Sequence, residues 1–248
     1  MSRFVAFLYG VIAYFIFFGT FLYLIGFVGG LLVPKTIDSG PATPAGTAAA
    51  INLALIALFG IQHTVMARPA FKAWWTRIVP RPVERSTYVL IASAILILLM
   101  WQWRPMPETV WRVENEIGIA VLYGIFALGW LLVLASTFAI DHFDLFGLRQ
   151  VFRNLRGQEQ APVEYKEAWF YKIVRHPLML GFLIAFWAIP HMTVGHLLFA
   201  AGMTAYILIA LQFEERDLVA AHGADYQDYR QRVSMLIPYP KGGKKTGD

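Results

Sequence analysis

The chain has 248 residues; 58% are hydrophobic, only 15% are charged, and the mean hydropathy is +0.54. Ordinary soluble domains carry about 25% charged residues, so this composition excludes them and points to an all-α integral membrane protein. The absence of cysteine removes disulfides, thiolate metal sites and cysteine nucleophiles together. The net charge of +5 is spread over a few loops, as membrane topology demands, and does not form a nucleic-acid-binding patch.

Six apolar segments are expected in chain order. Residues 4–33 exceed the roughly 20 residues that a span needs, and Gly26, Gly29 and Gly30 near their end predict close packing or a break. Only Arg3 precedes them, too little positive charge for a cleaved leader. Residues 34–47 are rich in Gly, Pro, Ser and Thr and read as a loop. Further segments follow at 48–66, 88–103, 117–140, 178–189 and 196–213, with Pro190-His191 turning between the last two. The fifth segment is short, so the bundle has five or six transmembrane helices.

Charge then orients the bundle. Residues 67–87 hold Arg68, Lys72, Arg77, Arg81 and Arg85 against Glu84, which places that loop in the cytoplasm. Residues 34–47 and 104–116 lack such an excess and belong outside. Six spans put both termini and the 141–175 loop in the cytoplasm. Gln62-His63, Tyr88, Asp141-His142-Phe143-Asp144, Arg175-His176-Pro177 and Glu214-Glu215 then share one face. Ionisable groups at a membrane edge mark functional sites. Trp74, Trp75 and Tyr88 read first as an interfacial aromatic belt. Residues 150–172 read as an interfacial amphipathic element covering the site, and the run 241–245 as a tail touching anionic lipid. No grouping of side chains reads as a metal site.

The polar motifs carry a resemblance that covers nearly the whole chain. Arg175-His176-Pro177, an apolar hairpin, Glu214-Glu215 with Leu218, and Gly223, Tyr226 and Tyr229 resemble the C-terminal half of the isoprenylcysteine carboxyl methyltransferase superfamily. The stretches 62–69, 84–88 and 141–148 are similar to its NnrU-like branch, more narrowly to the bacterial methanethiol S-methyltransferases. The prenylcysteine enzymes carry Tyr two residues after the proline; here that residue is Met179, which argues against a prenylated protein as substrate.

The resemblance implies one membrane-embedded methyltransferase domain over residues 1–248, with 1–140 on the acceptor side and 141–240 binding S-adenosylmethionine. It implies a cofactor pocket of Arg175, His176, Pro177, Glu214, Glu215, Tyr171, Tyr226 and Tyr229. The chemistry agrees: carboxylates suit the amino group or ribose hydroxyls, and Arg175 or His176 suits the carboxylate. The implied acceptor is a small volatile thiol, methanethiol going to dimethyl sulfide, with hydrogen sulfide as a second acceptor. No obligatory protein partner is implied beyond the lipid bilayer, and the location is the bacterial inner membrane with the site facing the cytoplasm. A free thiol titrates at about 8.5, so methyl transfer to it benefits from a base. His142, flanked by Asp141 and Asp144, is the first candidate base and Asp141 its partner, although adjacent residues point apart on a helix. His63 and Tyr88 are the second pair, closing the second span and opening the third. Two alternatives stand beside this reading: a methyltransferase for a lipid-like or prenylcysteine acceptor, and a haem-binding accessory protein of nitrogen-oxide metabolism using His63 and His142.

Overall fold

The computed structural model describes residues 1–159 and 169–239. Five of its helices are long and apolar enough to cross a membrane: α1 (Arg3–Gly29), α2 (Ala45–Ala67), α4 (Arg81–Gln102), α5 (Glu116–Ile140) and α9 (Val194–His222). At about 1.5 Å per residue, each reaches the roughly 30 Å of a hydrocarbon layer. Shorter helices connect or follow them: α3 (Pro69–Trp75), α6 (His142–Leu145), α7 (Leu148–Leu155), α8 (Pro177–Trp187) and α10 (Ala224–Arg232). The chain is therefore an all-α, multi-pass membrane protein. Lipid-facing positions stay apolar, with Leu128, Leu131, Phe138 and Ile209 exposed on the outside of the bundle. Of the 150–172 stretch expected to cover the site, residues 160–168 lie outside the described residues, as does the 241–245 run expected to touch lipid.

The fifth apolar segment explains why five and six spans both fitted the sequence. Helix α8 has 11 residues, about 16 Å, which falls short of a crossing. Its first turn sits beside α9 at His176–Glu215, whereas the stretch after it ends where Thr193 caps α9. Residues 177–193 thus cover the same depth as the first 22 residues of α9 (Val194–Glu215), and do so by leaving the helix after Trp187 and continuing extended. Irregular backbone at that depth must be shielded by protein, and Ala188, Ile189, Met192 and Thr193 are all buried. Helix α8 is held against α5 by a small-residue crossing: a Cβ on Gly181 would stand 2.7 Å from Gly129 O, and one on Gly129 would stand 2.7 Å from Ala185 N. Only glycines allow that approach.

The bundle has two polar ends. At one, β1 (Thr109–Arg112) pairs antiparallel with β2 (His191–Thr193), so the 104–116 segment contains a strand where a plain loop was expected. There Asn52 exchanges two bonds with the backbone of Arg104 (2.8 and 2.9 Å), Lys35 donates to Trp103 O and Ser39 O, and Thr193 donates to Asp38. Trp103, Phe27 and Phe199 pack edge-to-face beneath it. All the sequence-predicted site residues gather at the other end.

Candidate active site

Pro177 is the first residue of α8 and needs no hydrogen-bond partner there. Just before it the chain runs beside the C-terminal segment: Val174 bridges Ser234, Arg175 N donates to Ser234 O (2.8 Å) and His176 N to Met235 O (3.1 Å). This backbone seam aims Arg175 and His176 at α9. Arg175 forks onto Glu215 through Nε (2.7 Å) and Nη2 (3.0 Å) and sends Nη1 to Val233 O (2.5 Å) and Arg230 O (3.2 Å). Arg230 Nε adds a contact at 2.8 Å, His176 Nε2 another at 2.8 Å, and the Tyr226 hydroxyl donates at 3.1 Å. The Glu215 side chain is 6% exposed. A carboxylate that deep must be paired, and this one is paired on both oxygens. Burial, then the Glu215 charge, pushes the Tyr226 phenol up. Tyr229 donates to Tyr171 O at 2.6 Å, tying the 3-10 turn Trp169–Lys172 to α10. Arg175, Glu215, Tyr226 and Tyr229 thus direct polar atoms at one another, at His176 and Arg230, and at backbone.

Glu214 faces the other way. Its side chain is 45% exposed, and its contact to His176 Nδ1 is long, at 4.0 Å. Tyr88, Tyr171 and Tyr206 all lie within electrostatic reach of its carboxylate. Burial, followed by the Glu214 charge, pushes the Tyr171 phenol up. Tyr206 pairs with Thr64 and its ring meets Phe59 edge-on at 5.7 Å. Phe59 stacks on His63 (5.1 Å), and His63 lies 5.1 Å from Tyr88, whose hydroxyl points at His63 O. Tyr88 is buried and so leaves the interfacial belt, where Trp74 remains half exposed. Arg85 sits 5.1 Å from the Tyr88 ring and donates to Leu145 O. Two buried atoms in this group, His63 Nδ1 and Gln62 Oε1, have no hydrogen-bond partner among the described residues. Buried polar atoms are normally satisfied, and these two are not.

His142 occupies a separate aromatic shell. Its ring stacks on Phe138 at 4.3 Å and lies 4.9 Å from Phe146. Phe146 in turn stacks on Phe17 and packs against Tyr88 and Met66, so it stands between the two histidine shells. The expected Asp141 partnership is not made. Asp141 caps the start of α6 by accepting from Asp144 N and pairs with Arg149, because it ends α5 while His142 begins the next turn. His142 is bonded instead to Thr137 Oγ1 (2.9 Å) and Tyr14 OH (2.8 Å). Thr137 already donates to Leu134 O, so it accepts from Nδ1–H, and Nε2 accepts from Tyr14. That neutral tautomer agrees with burial, which pulls the imidazole below its ordinary 6.5, with Asp141 acting the other way. Phe7, Val11, Tyr14, Phe15, Phe143, Leu148, Arg149 and Phe152 line an apolar groove of about 470 Å³ on this side.

Sequence reasoning missed Tyr14, Tyr206, Arg68 and Arg230. A tyrosine within an apolar span carries no motif. Tyr206 had one available signal, its place about two helical turns before Glu214 on α9. Arg68 pairs with Asp217 at 2.8 Å and fastens α2 to α9 beside the Glu214 group.

Comparison with known proteins adds a second line. The NnrU protein family matches residues 52–237. A methanethiol S-methyltransferase of Mycobacterium tuberculosis is 55% identical over 240 residues, covering 97% of this chain and 98% of that protein. Methanethiol S-methyltransferase 2 of Bradyrhizobium diazoefficiens is 56% identical over 247 residues, covering 100% of this chain and 95% of that protein. Nurim of Sus scrofa is 28% identical over 208 residues, covering 78% of this chain and 74% of its own length. No solved structure matches the chain.

Proposed function

The chain belongs to the NnrU family, and on that premise we propose that it is an S-adenosylmethionine-dependent methyltransferase converting methanethiol to dimethyl sulfide. It works in a bacterial cytoplasmic membrane with the site facing the cytoplasm, where the Arg68, Lys72, Arg77, Arg81 and Arg85 loop also lies. Residues 1–140 supply the acceptor side and 141–240 most of the donor side. The observation that carries the reading is a half-exposed Glu214 carboxylate beside His176, at the same end of the bundle as the orphaned His63 Nδ1 and Gln62 Oε1.

The residues fit the donor. Glu214 suits its amino group or ribose hydroxyls, His176 Nδ1 suits a further polar group, and Gln62 Oε1 accepts a hydrogen bond. Glu215, Arg175, Tyr226 and Tyr229 hold His176 and Tyr171 in place without themselves touching the ligand. Bound there, the donor supplies a methyl group on a positively charged sulfur. His63 takes the thiol proton at its ring nitrogen; Tyr88 packs against that ring and donates to the His63 carbonyl. Phe59, Tyr88 and Phe146 keep water from the thiolate, whose desolvation raises its reactivity. A small apolar thiol offers few contacts, so its selection rests on exclusion of larger ones. Hydrogen sulfide is small enough to be a second acceptor.

A lipid-like acceptor is the second reading, favoured by the apolar groove beside Tyr14. The test is incubation of membranes with methyl-labelled S-adenosylmethionine and either methanethiol or a prenylcysteine analogue, with headspace analysis. Labelled dimethyl sulfide that depends on this protein is the expected result. Faster methylation of the prenylcysteine analogue would replace the thiol reading with the second one.

A further inference from the structure

The groove beside Tyr14 has no part in the transfer chemistry. Its α1 wall runs from Phe7 to Phe15, opposite Phe143, Leu148 and Phe152, around a volume of about 470 Å³. From Phe7 to Phe15 the helix rises about 12 Å, most of the roughly 15 Å that one leaflet offers. Phe15, Phe143 and Phe152 are exposed, so the groove opens sideways to the bilayer. Its mouth is basic. Arg156 lies 4.5 Å over the Phe152 ring, and Phe152 meets Phe7 at 6.5 Å. Arg3, one turn before Phe7, reaches the same place. Its Nη1 stands 2.8 Å from where a Cβ on Gly157 would be, so it lies against the backbone that follows Arg156. Arg149 lines the groove but is paired with Asp141. Arg3 and Arg156 are exposed and form no ion pair among the described residues. Two unneutralised guanidinium groups therefore stand above an apolar slot of leaflet depth. A phosphate at headgroup level with an acyl chain beneath it complements both parts.

We propose that this groove is a binding site for an anionic phospholipid, with its phosphate held by Arg3 and Arg156 and one acyl chain lying along Phe7, Val11 and Phe15 between α1 and α7. The lipid is resident and is bound unmodified. It braces α7 against α1, and it touches Tyr14, whose hydroxyl is bonded to His142 Nε2 at 2.8 Å. The site is independent of the methyl-donor reading, since none of its residues belongs to the groups around Glu214 and His63.

The test is thermal unfolding of the purified full-length protein in neutral detergent micelles carrying increasing mole fractions of phosphatidylglycerol or, separately, phosphatidylcholine. Phosphatidylglycerol should raise the unfolding midpoint saturably, and phosphatidylcholine should raise it less at every fraction. An arginine beside an anionic lipid is worth about five-fold in affinity. Arg3→Gln and Arg156→Gln should therefore each raise the half-saturating phosphatidylglycerol fraction about five-fold, with the phosphatidylcholine response unchanged. Arg156→Lys, which keeps the charge, should stay near wild type. Val11→Trp, which fills the groove from its wall, should abolish the phosphatidylglycerol response with both arginines intact. Glycerol 3-phosphate without lipid should give no rise, because it lacks the chain. Midpoints in lipid-free micelles separate a lost site from a lost fold. Equal responses to the two lipids, no response to either, or an unchanged half-saturating fraction in a folded Arg3→Gln/Arg156→Gln variant overturns the proposal. A rise with glycerol 3-phosphate alone overturns it too, by showing a site for a free anion.

Discussion

Two adjacent glutamates on α9 live in opposite circumstances. Glu215 is 6% exposed and held by two guanidinium groups, an imidazole and a phenol, whereas Glu214 is 45% exposed with one long contact. Neighbouring residues on a helix point about 100° apart. One therefore enters the seam between α8, α9 and the C-terminal segment, and the other stays half exposed with His176 as its long contact. The closed glutamate builds a wall, and the open one keeps a half-exposed carboxylate. The two histidine shells repeat the pattern: both His142 nitrogens are engaged, whereas His63 Nδ1 is orphaned.

The largest expected effect belongs to the closed member. Glu215→Ala leaves Arg175 buried without its counter-ion and should destabilise the fold by about 3–5 kcal/mol, read as a lower unfolding midpoint in detergent. An unchanged midpoint would mean that the seam is not structural. The histidines come next. His63→Ala should lower kcat by about 10²- to 10⁴-fold, the usual cost of removing a base. His142→Ala should cost less in turnover and more in stability, since it empties the shell formed by Tyr14, Thr137 and Phe138. A reversed order of the two activities would return the proton-accepting role to His142.

A smaller effect follows from the His142 imidazole. Its pKa in the folded protein lies below 6.5, so the unfolded chain takes up a proton first as the pH falls. The contribution of His142 is fully present above 6.5 and is lost as the pH drops from 6.5 toward the lowered value. Unfolding midpoints of wild-type protein and His142→Gln should therefore converge between pH 7.5 and 5.5. A gap that widens on acidification would reverse the sign and imply a charged, paired imidazole.

Much of this molecule is legible in its sequence, and what is not has physical causes. Five long apolar runs are enough to place α1, α2, α4, α5 and α9, and loop charge is enough to gather the motifs at one end. The approach of His63 to Tyr88 follows from the ends of the second and third segments, and the rings do lie 5.1 Å apart. The extended path from 188 to 193 is hidden, because apolar composition describes a crossing without saying whether it is helical. Glu214 and Glu215 are indistinguishable as letters; only the phase of α9 against Arg175 separates them. Asp141 sits beside His142 in sequence yet caps another turn, since the helix break falls between them. Tyr14 and Tyr206 look like ordinary apolar-span tyrosines until their partners, His142 and Thr64, are seen.

The central claim is that the open glutamate binds the donor while the closed one holds the fold. Paired measurement of Glu214→Gln tests it most directly, by calorimetric titration with S-adenosylmethionine and thermal unfolding of the same preparation. The expected result is an affinity weakened by about 1–3 kcal/mol, the worth of a charged hydrogen bond, with an unfolding midpoint equal to that of wild type. Unchanged affinity, or a fall in the midpoint as large as that of Glu215→Ala, would contradict it.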